Sequence, residues 1–469
     1  MPKIFKDFSK LFYVDLRSLA ITRIALSLLI IIDLFARFKD LENHYTDNGV
    51  LPVEAYYELH WQKFYLSLHA LSGNYYFELF LFIAALIFAC MLLFGFKTRM
   101  STVISWFLLI SLQTRNPLVL TGGDTLLRCL MFWAIFTPWG ERFSIDSNFK
   151  SDCNKVLNTV FSWGALAFII QIAFMYISSA ILKDSPEWRN DYTAIYYALS
   201  IGQFNYLLGP FIYRFPLLMK VITFSVFWLE MVGIFIFFVP YKNSLFRIIG
   251  LILFIFFQLG LFFTMSLGLF PWVCIASLFI FLPSIFWKKL PGFEIRLKIF
   301  FEKIYTKLFY NSRCRFFMQP DLKKIHALFL ILVFIFLAIL VNNRNFKITE
   351  VPRDLFFIIR TVRLDQKWNL FAPEPYKTDG WYVISGKLEN GNIVDVLRKE
   401  GKINWASPND RHSDYPTYRW RKYMRNLYLK MYKENRHYYA KYICRKWNKD
   451  KAGKPKLKYL DIYYVLEWT

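Results

Sequence analysis

An ionisable side chain placed in hydrocarbon is costly, and by default it marks a site with a partner. Five residues of this chain qualify: Arg23 and Asp33 in a first apolar stretch, Asp124 and Arg128 in a fourth, and Glu230 in a sixth. Asp124 and Arg128 are four apart, so they share a helical face and can pair with each other. Gly122 and Gly123 just before them let the backbone bend and approach another helix or a ligand. A set of ion pairs that pins a bundle accounts for these residues as well as a reactive site does. Lys183 is a separate case, closing the fifth apolar stretch in FMYISSAILKDSPEW. Its position suits a lysine that snorkels to the membrane surface. Held in an apolar cavity instead, an amine has its charged form disfavoured and can serve as a general base near neutral pH.

The elements that must position these residues are membrane spans. Hydrophobic residues make up 56% of the chain and aromatic residues 20%, with 51 Phe, more apolar surface than a soluble core of this length needs. Apolar runs near 19–38, 75–96, 100–115, 123–139, 157–182, 217–239, 248–266, 267–286 and 325–342 predict about nine transmembrane helices, the third and fourth short and interrupted. The first 18 residues are basic and amphipathic, with no small-residue cleavage site after the first run, so they read as a surface segment rather than a cleaved signal. Between Lys288 and Lys324 lie ten Lys and Arg against three acidic residues, and short basic loops stay cytoplasmic. Counting back by alternation puts the N-terminus inside the cell membrane and everything after about Val341 outside.

Two domains follow: 1–342, a helical membrane bundle, and 343–469, a C-terminal extracytoplasmic α+β domain. The second holds 27 basic and 14 acidic residues, more than half of the chain's net +24. This surplus is expected to serve solubility and attraction to anionic headgroups, with the bilayer rather than nucleic acid as partner. Gly380–Leu388 and Ile393–Leu397 flank Glu389-Asn390-Gly391, a hairpin signal. Tyr459–Leu466 could join the same sheet, and Tyr418–Tyr432 and Tyr438–Trp447 have the look of helices. Leu364–Pro375 (LDQKWNLFAPEP) is expected to dock this domain onto the bundle. The six Cys and six His are scattered without metal-ligand spacing, so neither a metal nor a disulfide is expected.

Four stretches carry a resemblance: YTDNGVLP (Tyr45–Pro52), RNPLVLTGGDTLLR (Arg115–Arg128), ILKDSPEWRNDY (Ile181–Tyr192) and QKWNLFAPEP (Gln366–Pro375). With the closing KYICRKWN from Lys441, they resemble the HTTM (horizontally transferred transmembrane) family, which includes vitamin K-dependent γ-glutamyl carboxylases. The resemblance to bacterial HTTM proteins spans essentially the whole chain, and that to the carboxylases mainly the bundle. The family's base is a lysine five residues before a Trp that is followed four later by Tyr, a spacing matched by Lys183, Trp188 and Tyr192. In the carboxylases this lysine deprotonates reduced vitamin K, and oxygen then turns the quinol into a strong base. That base removes a γ-proton from peptide-bound Glu, and the carbanion takes up carbon dioxide. The resemblance therefore implies Lys183 as the catalytic group, a vitamin K-like reduced quinone as cofactor, and an exported peptide as substrate. Asp124, Arg128, Arg115, Asn116, Trp188, Tyr192 and Glu230 would line the cavity. Two features depart from the pattern. The carboxylases carry an Asn-His pair about 59 residues before the lysine, where this chain has Gly123-Asp124, and their water-facing region is far larger. The alternative is a non-enzymatic membrane protein for maturation, export or immunity of a secreted peptide or protein.

Overall fold

The computed structural model describes residues 10–148, 158–309, 356–398, 402–408, 415–450 and 455–468. Among the described residues the longer helices of the first part are Leu16–Phe38 (α1), Tyr75–Phe94 (α2), Thr98–Arg115 (α3), Gly122–Ala134 (α4), Trp163–Leu182 (α5), Pro216–Met231 (α6), Asn243–Thr264 (α7), Phe270–Leu278 (α8) and Pro291–Phe309 (α9), with shorter helical turns between them. Among the described residues four of them, α1, α2, α5 and α7, are long and apolar enough to cross a membrane. At ~1.5 Å per residue their lengths match the ~30 Å hydrocarbon layer. The expected third, fourth, sixth and eighth spans are present as shorter or more polar helices. α3 carries Ser101, Thr102, Ser105, Ser111, Gln113 and Thr114 on its buried side, and α6 passes into a 3-10 turn at Gly233–Phe238. The ninth expected span, 325–342, lies outside the described residues.

Local signals explain where these helices start and stop. Asp15 caps α1 by accepting from the Arg17 N–H, and Asn74 caps α2 by accepting from the Tyr76 N–H. Thr121 and Asp124 form a reciprocal capping box at the start of α4. The polarity of the bundle is inverted relative to a soluble protein. On α6 the buried stripe is Met219, Thr223, Phe227 and Glu230, while Leu217, Val221 and Phe224 face outward. On α7 Ile252 and Phe256 point outward and Gln258 inward. Outward apolar and inward polar side chains are what a lipid-facing helix requires, since hydrocarbon offers no hydrogen bonds.

The C-terminal part is α+β. Within the first part a two-residue antiparallel ribbon pairs Val14–Asp15 (β1) with Thr159–Val160 (β2). The main sheet comprises Thr378–Leu388 (β3), Ile393–Asp395 (β4) and Leu457–Trp468 (β5), antiparallel in the order β4-β3-β5. The turn between β3 and β4 has Gly391 at φ +83°, a left-handed backbone that glycine adopts without steric cost, and its N–H donates to the Leu388 carbonyl at 3.0 Å. Helices Tyr418–Tyr428 (α10) and Asn435–Asp450 (α11) pack on this sheet. Their shared core takes in Val50, Leu51, Tyr56, Leu118 and Val119 from the loops of the bundle. The sheet and the loops beneath it are thus one packed unit.

Candidate functional site

α5 ends at Lys183, whose N–H donates to the Ala180 carbonyl. Pro186 opens the next short helix, Pro186–Arg189, at its first turn, where a missing N–H costs nothing. Arg189 then folds back and donates to the carbonyls of Lys183 and Ile181, satisfying the helix end. Lys183 is only 3% exposed, so it is not a snorkelling lysine. Its Nζ pairs with the Glu230 carboxylate of α6, and lies 4.4 Å from the centre of the Trp188 ring.

The wall around this pair is aromatic. Trp188, Ala194 and Phe227 form a small buried cluster with Met231 and Phe371 against it. The indole N–H of Trp188 donates to the Phe371 carbonyl at 2.9 Å. Tyr192 packs edge-on to Phe224 at 5.3 Å. Both Tyr192 (φ 53°) and Phe371 (φ 54°) hold left-handed backbones, which bulky residues rarely adopt. Strain of this kind tends to collect where structure serves function. Phe371 belongs to the docking segment, which sequence reading cast only as an anchor. That segment also buries Trp368 fully and joins α5 through Gln171, whose Nε2 donates to Gln366 Oε1 at 2.6 Å.

The other charged residues assemble elsewhere. Asp124 and Arg128 do not pair, although they share a helical face. Asp124 Oδ1 accepts from Arg37 at 2.5 Å and from Arg419 at 3.1 Å, while its Oδ2 caps Thr121. Asp33 accepts from Arg37 at 2.8 Å and is paired with Arg419. The result is a closed square of two guanidinium groups and two carboxylates, each no more than 3% exposed, joining α1, α4 and α10. The capping role aims the Asp124 carboxylate at the helix start, away from Arg128. Arg128 instead donates to the carbonyls of Arg363 (2.9 Å) and Asp365 (2.5 Å), clasping the docking segment. Arg23 donates to the carbonyls of Trp139 and Phe143. Arg115 donates to the Leu51 carbonyl at 2.8 Å, and Asn116 to the His44 carbonyl at 3.0 Å, so both hold the segment between α1 and α2. Among the described residues no hydrogen bond or ion pair joins Arg115, Asn116, Asp124 or Arg128 to Lys183.

Sequence reading missed Arg37 and Arg419. Arg37 carried a signal, being four residues after Asp33 on one face. Arg419, in a run of basic and aromatic residues, carried none. It also missed Lys422 on α10, a half-buried amine pushed down to about 8 by burial and by Arg425. In the outer layer, burial pushes His44 down to about 3, with the charges of Arg419 and Arg37 adding to it against Asp40, and pushes His60 down to about 4. Cys90, Cys129, Cys274 and Cys444 are free thiols, and Cys153 and Cys314 lie outside the described residues. Among the described residues no group of His, Cys, Asp and Glu has the arrangement of a metal site.

Comparison with curated proteins gave no match, and neither did comparison with solved structures. A family model does match, the HTTM domain, over residues 13–287. The matched region runs from just before the capping residue of α1 to beyond α8, and it contains Lys183, Glu230, Trp188 and three corners of the Arg–Asp square. With four span-length helices and more than half of its length matched, this membrane protein belongs to the HTTM domain family.

Proposed function

We propose that this chain is a membrane enzyme of the carboxylase type, with Lys183 as the base that acts on a lipid-soluble reduced quinone. The observation that carries this reading is the Lys183 amine: withdrawn from water, set on an indole face and placed inside the HTTM match. A base must be held within reach of the proton it takes, and the contacts with Glu230 and Trp188 fix this amine in place. The residues fit the group. An amine can take a proton from a weakly acidic ring hydroxyl, and the faces of Trp188, Phe227 and Phe371 suit a flat apolar ring. When bound and supplied with oxygen, the quinol would furnish a base strong enough to remove a γ-proton from a peptide Glu before carbon dioxide is captured. Lys183 takes the first proton, Trp188 orients the amine, and the docking segment closes the site against water.

The accompanying topology is nine spans in the inner membrane, with the N-terminus cytoplasmic and residues 343–469 forming the extracytoplasmic domain that meets an exported peptide. A second reading draws on the direct contact between Lys183 and Glu230: a structural clamp in a non-enzymatic protein for maturation, export or immunity of a secreted peptide. The deciding experiment supplies purified protein in nanodiscs with reduced quinone, oxygen, labelled bicarbonate and Glu-containing peptides. Label in the peptide together with quinone oxidation, both lost in Lys183→Ala, supports the enzyme. No incorporation with folded wild-type protein leaves the clamp.

A further inference from the structure

We propose that Lys422 and Arg425 of α10 form a carboxylate-binding subsite beside the Lys183 site, with Phe371 between the two, and that its occupant is the acidic side chain of a peptide. The carboxylate is what the two cations call for; that it belongs to a peptide rests on the functional reading above. Tyr418, Arg421, Lys422 and Arg425 are spaced three and four apart, so they share one face of α10. That face lies on the bundle. Tyr418 packs against Gly268, and Arg421 donates to the Ser266 carbonyl at 2.6 Å and to its hydroxyl at 2.8 Å. Lys422 and Arg425 are left with their charge uncompensated. Among the described residues no ion pair holds either of them, and the carboxylates within their electrostatic reach are committed elsewhere. Asp124 belongs to the square, and Asp379 accepts from the N–H groups of Gly202 at 2.6 Å and Gly380 at 2.8 Å.

Aromatic rings hold this pair without cancelling its charge. The guanidinium carbon of Arg425 lies 4.3 Å from the centre of the Phe204 ring and 4.1 Å from that of Tyr376. A guanidinium flanked by ring faces keeps the N–H donors along its edge, and that fork matches the two oxygens of a carboxylate. Ring faces return only part of what a cation loses on leaving water. Burial and the neighbouring Arg425 push Lys422 down to about 8, so it remains mostly charged at neutral pH. One carboxylate shared by both cations relieves their repulsion, which a neutral amide of the same shape cannot do. Both residues keep part of their surface exposed, so a side chain can reach them. The subsite also adjoins the base. Phe204 packs edge-on to Phe371 at 5.4 Å, and the Phe371 carbonyl accepts the Trp188 N–H beside Lys183.

The test reads binding without quinone, so it does not depend on turnover. Fluorescence anisotropy follows a short capped peptide with a single Glu and a neutral dye on wild-type protein in nanodiscs, beside its Gln counterpart. The Glu peptide should bind roughly tenfold or more tighter, the scale of a hydrogen bond between charged groups. Lys422→Gln should remove most of that preference and Lys422→Arg should keep it, with a thermal melt to show that each variant is folded. Equal affinity for the two peptides in wild type overturns the proposal. So does a Glu preference in folded Lys422→Gln within about twofold of the wild-type one. Acetate or inorganic phosphate that displaces the Glu peptide at matching concentration overturns the peptide as occupant and gives the pair to a small free anion. Where turnover is measurable, Lys422→Gln should raise KM for the Glu peptide with little change in kcat. An unchanged KM overturns the subsite and leaves the reading of Lys183 intact. A Glu preference lost in Lys422→Gln, with no turnover in wild type, does the opposite: the subsite stands and the carboxylase reading fails.

Discussion

Two buried charge clusters sit in one molecule and are built on opposite principles. The Arg37–Asp33–Asp124–Arg419 square uses guanidinium groups, which remain charged under any condition a protein meets. Its charges therefore persist, and every carboxylate has two cationic neighbours. The Lys183–Glu230 pair uses a group that can lose its proton and has one partner on each side. The square ties three segments that lie far apart in sequence, and nothing in it is left to react. The pair lies at a helix end, beside a strained aromatic loop, with its chemistry uncommitted. Both clusters satisfied the same sequence criterion, a charge in an apolar run. What separates them is which cation is present and how many partners it has.

The largest effect is expected where the comparison is broken at the square. Asp124→Ala leaves Arg37 and Arg419 sharing the single carboxylate of Asp33. Removing one member of a buried charge set costs about 3–5 kcal/mol, enough to prevent recovery of folded protein from detergent or to lower its melting temperature sharply. A melting temperature within about 2 °C of wild type would show that the square is not structural. At the pair a smaller cost is expected. Lys183→Met removes the one contact of Lys183 with Glu230, where Asp124→Ala removes contacts to both Arg37 and Arg419, so a loss of about 1–3 kcal/mol is expected. The double variant Lys183→Met/Glu230→Met should recover most of that, because apolar replacement of a buried pair is often neutral. A thermal-unfolding cycle over the four proteins measures the coupling. If the double variant is as unstable as Asp124→Ala, the pair is a structural clamp and the contrast with the square disappears.

The parts of the fold that could be read from sequence are those set by local chemistry. The hairpin at Asn390-Gly391 needed a left-handed glycine, and the long apolar runs needed hydrocarbon. The shorter helices were less legible, because α3 and α4 bury polar groups against neighbours that only the tertiary structure supplies. The pairing of Asp124 failed for the same reason: spacing places residues on a face but says nothing of a guanidinium arriving from 295 residues away. Lys183 meets Glu230 across 47 residues of sequence, a contact that residue types alone did not announce. Gly122-Gly123 was legible in kind. A Cβ on Gly123 would lie 2.8 Å from the Phe270 backbone nitrogen, so α4 and α8 touch there through main chain. Gly123→Ala must push α8 away, a cost of about 1–3 kcal/mol. It should loosen the square's α4 corner while leaving Glu230 and Lys183 in place. Unchanged stability in a thermal melt would mean that α8 yields freely.

The smallest effect separates both clusters from the outer layer, and acid is the probe. Asn435 Nδ2 lies 2.9 Å from His60 Nε2, and His44 lies against Trp420 with ring centres 4.4 Å apart. Both contacts dock α10 and α11 onto the segment between α1 and α2. An amide N–H directed at His60 Nε2 needs that nitrogen unprotonated. Burial holds His60 at about 4 and His44 at about 3 in the folded state, against ~6.5 in the unfolded chain. The unfolded chain therefore binds more protons through this window, and stability must fall as pH falls. It is fully present above about 6.5, declines toward 4 as His60 lags behind its unfolded value, and continues to decline toward 3 through His44. His60→Gln keeps an acceptor for Asn435 but cannot titrate. Denaturation midpoints between pH 7.5 and 4 should fall less steeply in this variant, by up to one proton's worth of slope. His60 is half-buried, so its share is the smaller of the two histidines'. The fluorescence of Trp420 should report loosening of the outer layer before the bundle unfolds, because the square contains no histidine to respond. A pH dependence identical to wild type in His60→Gln would remove His60 from the account and leave His44 alone to carry the acid response.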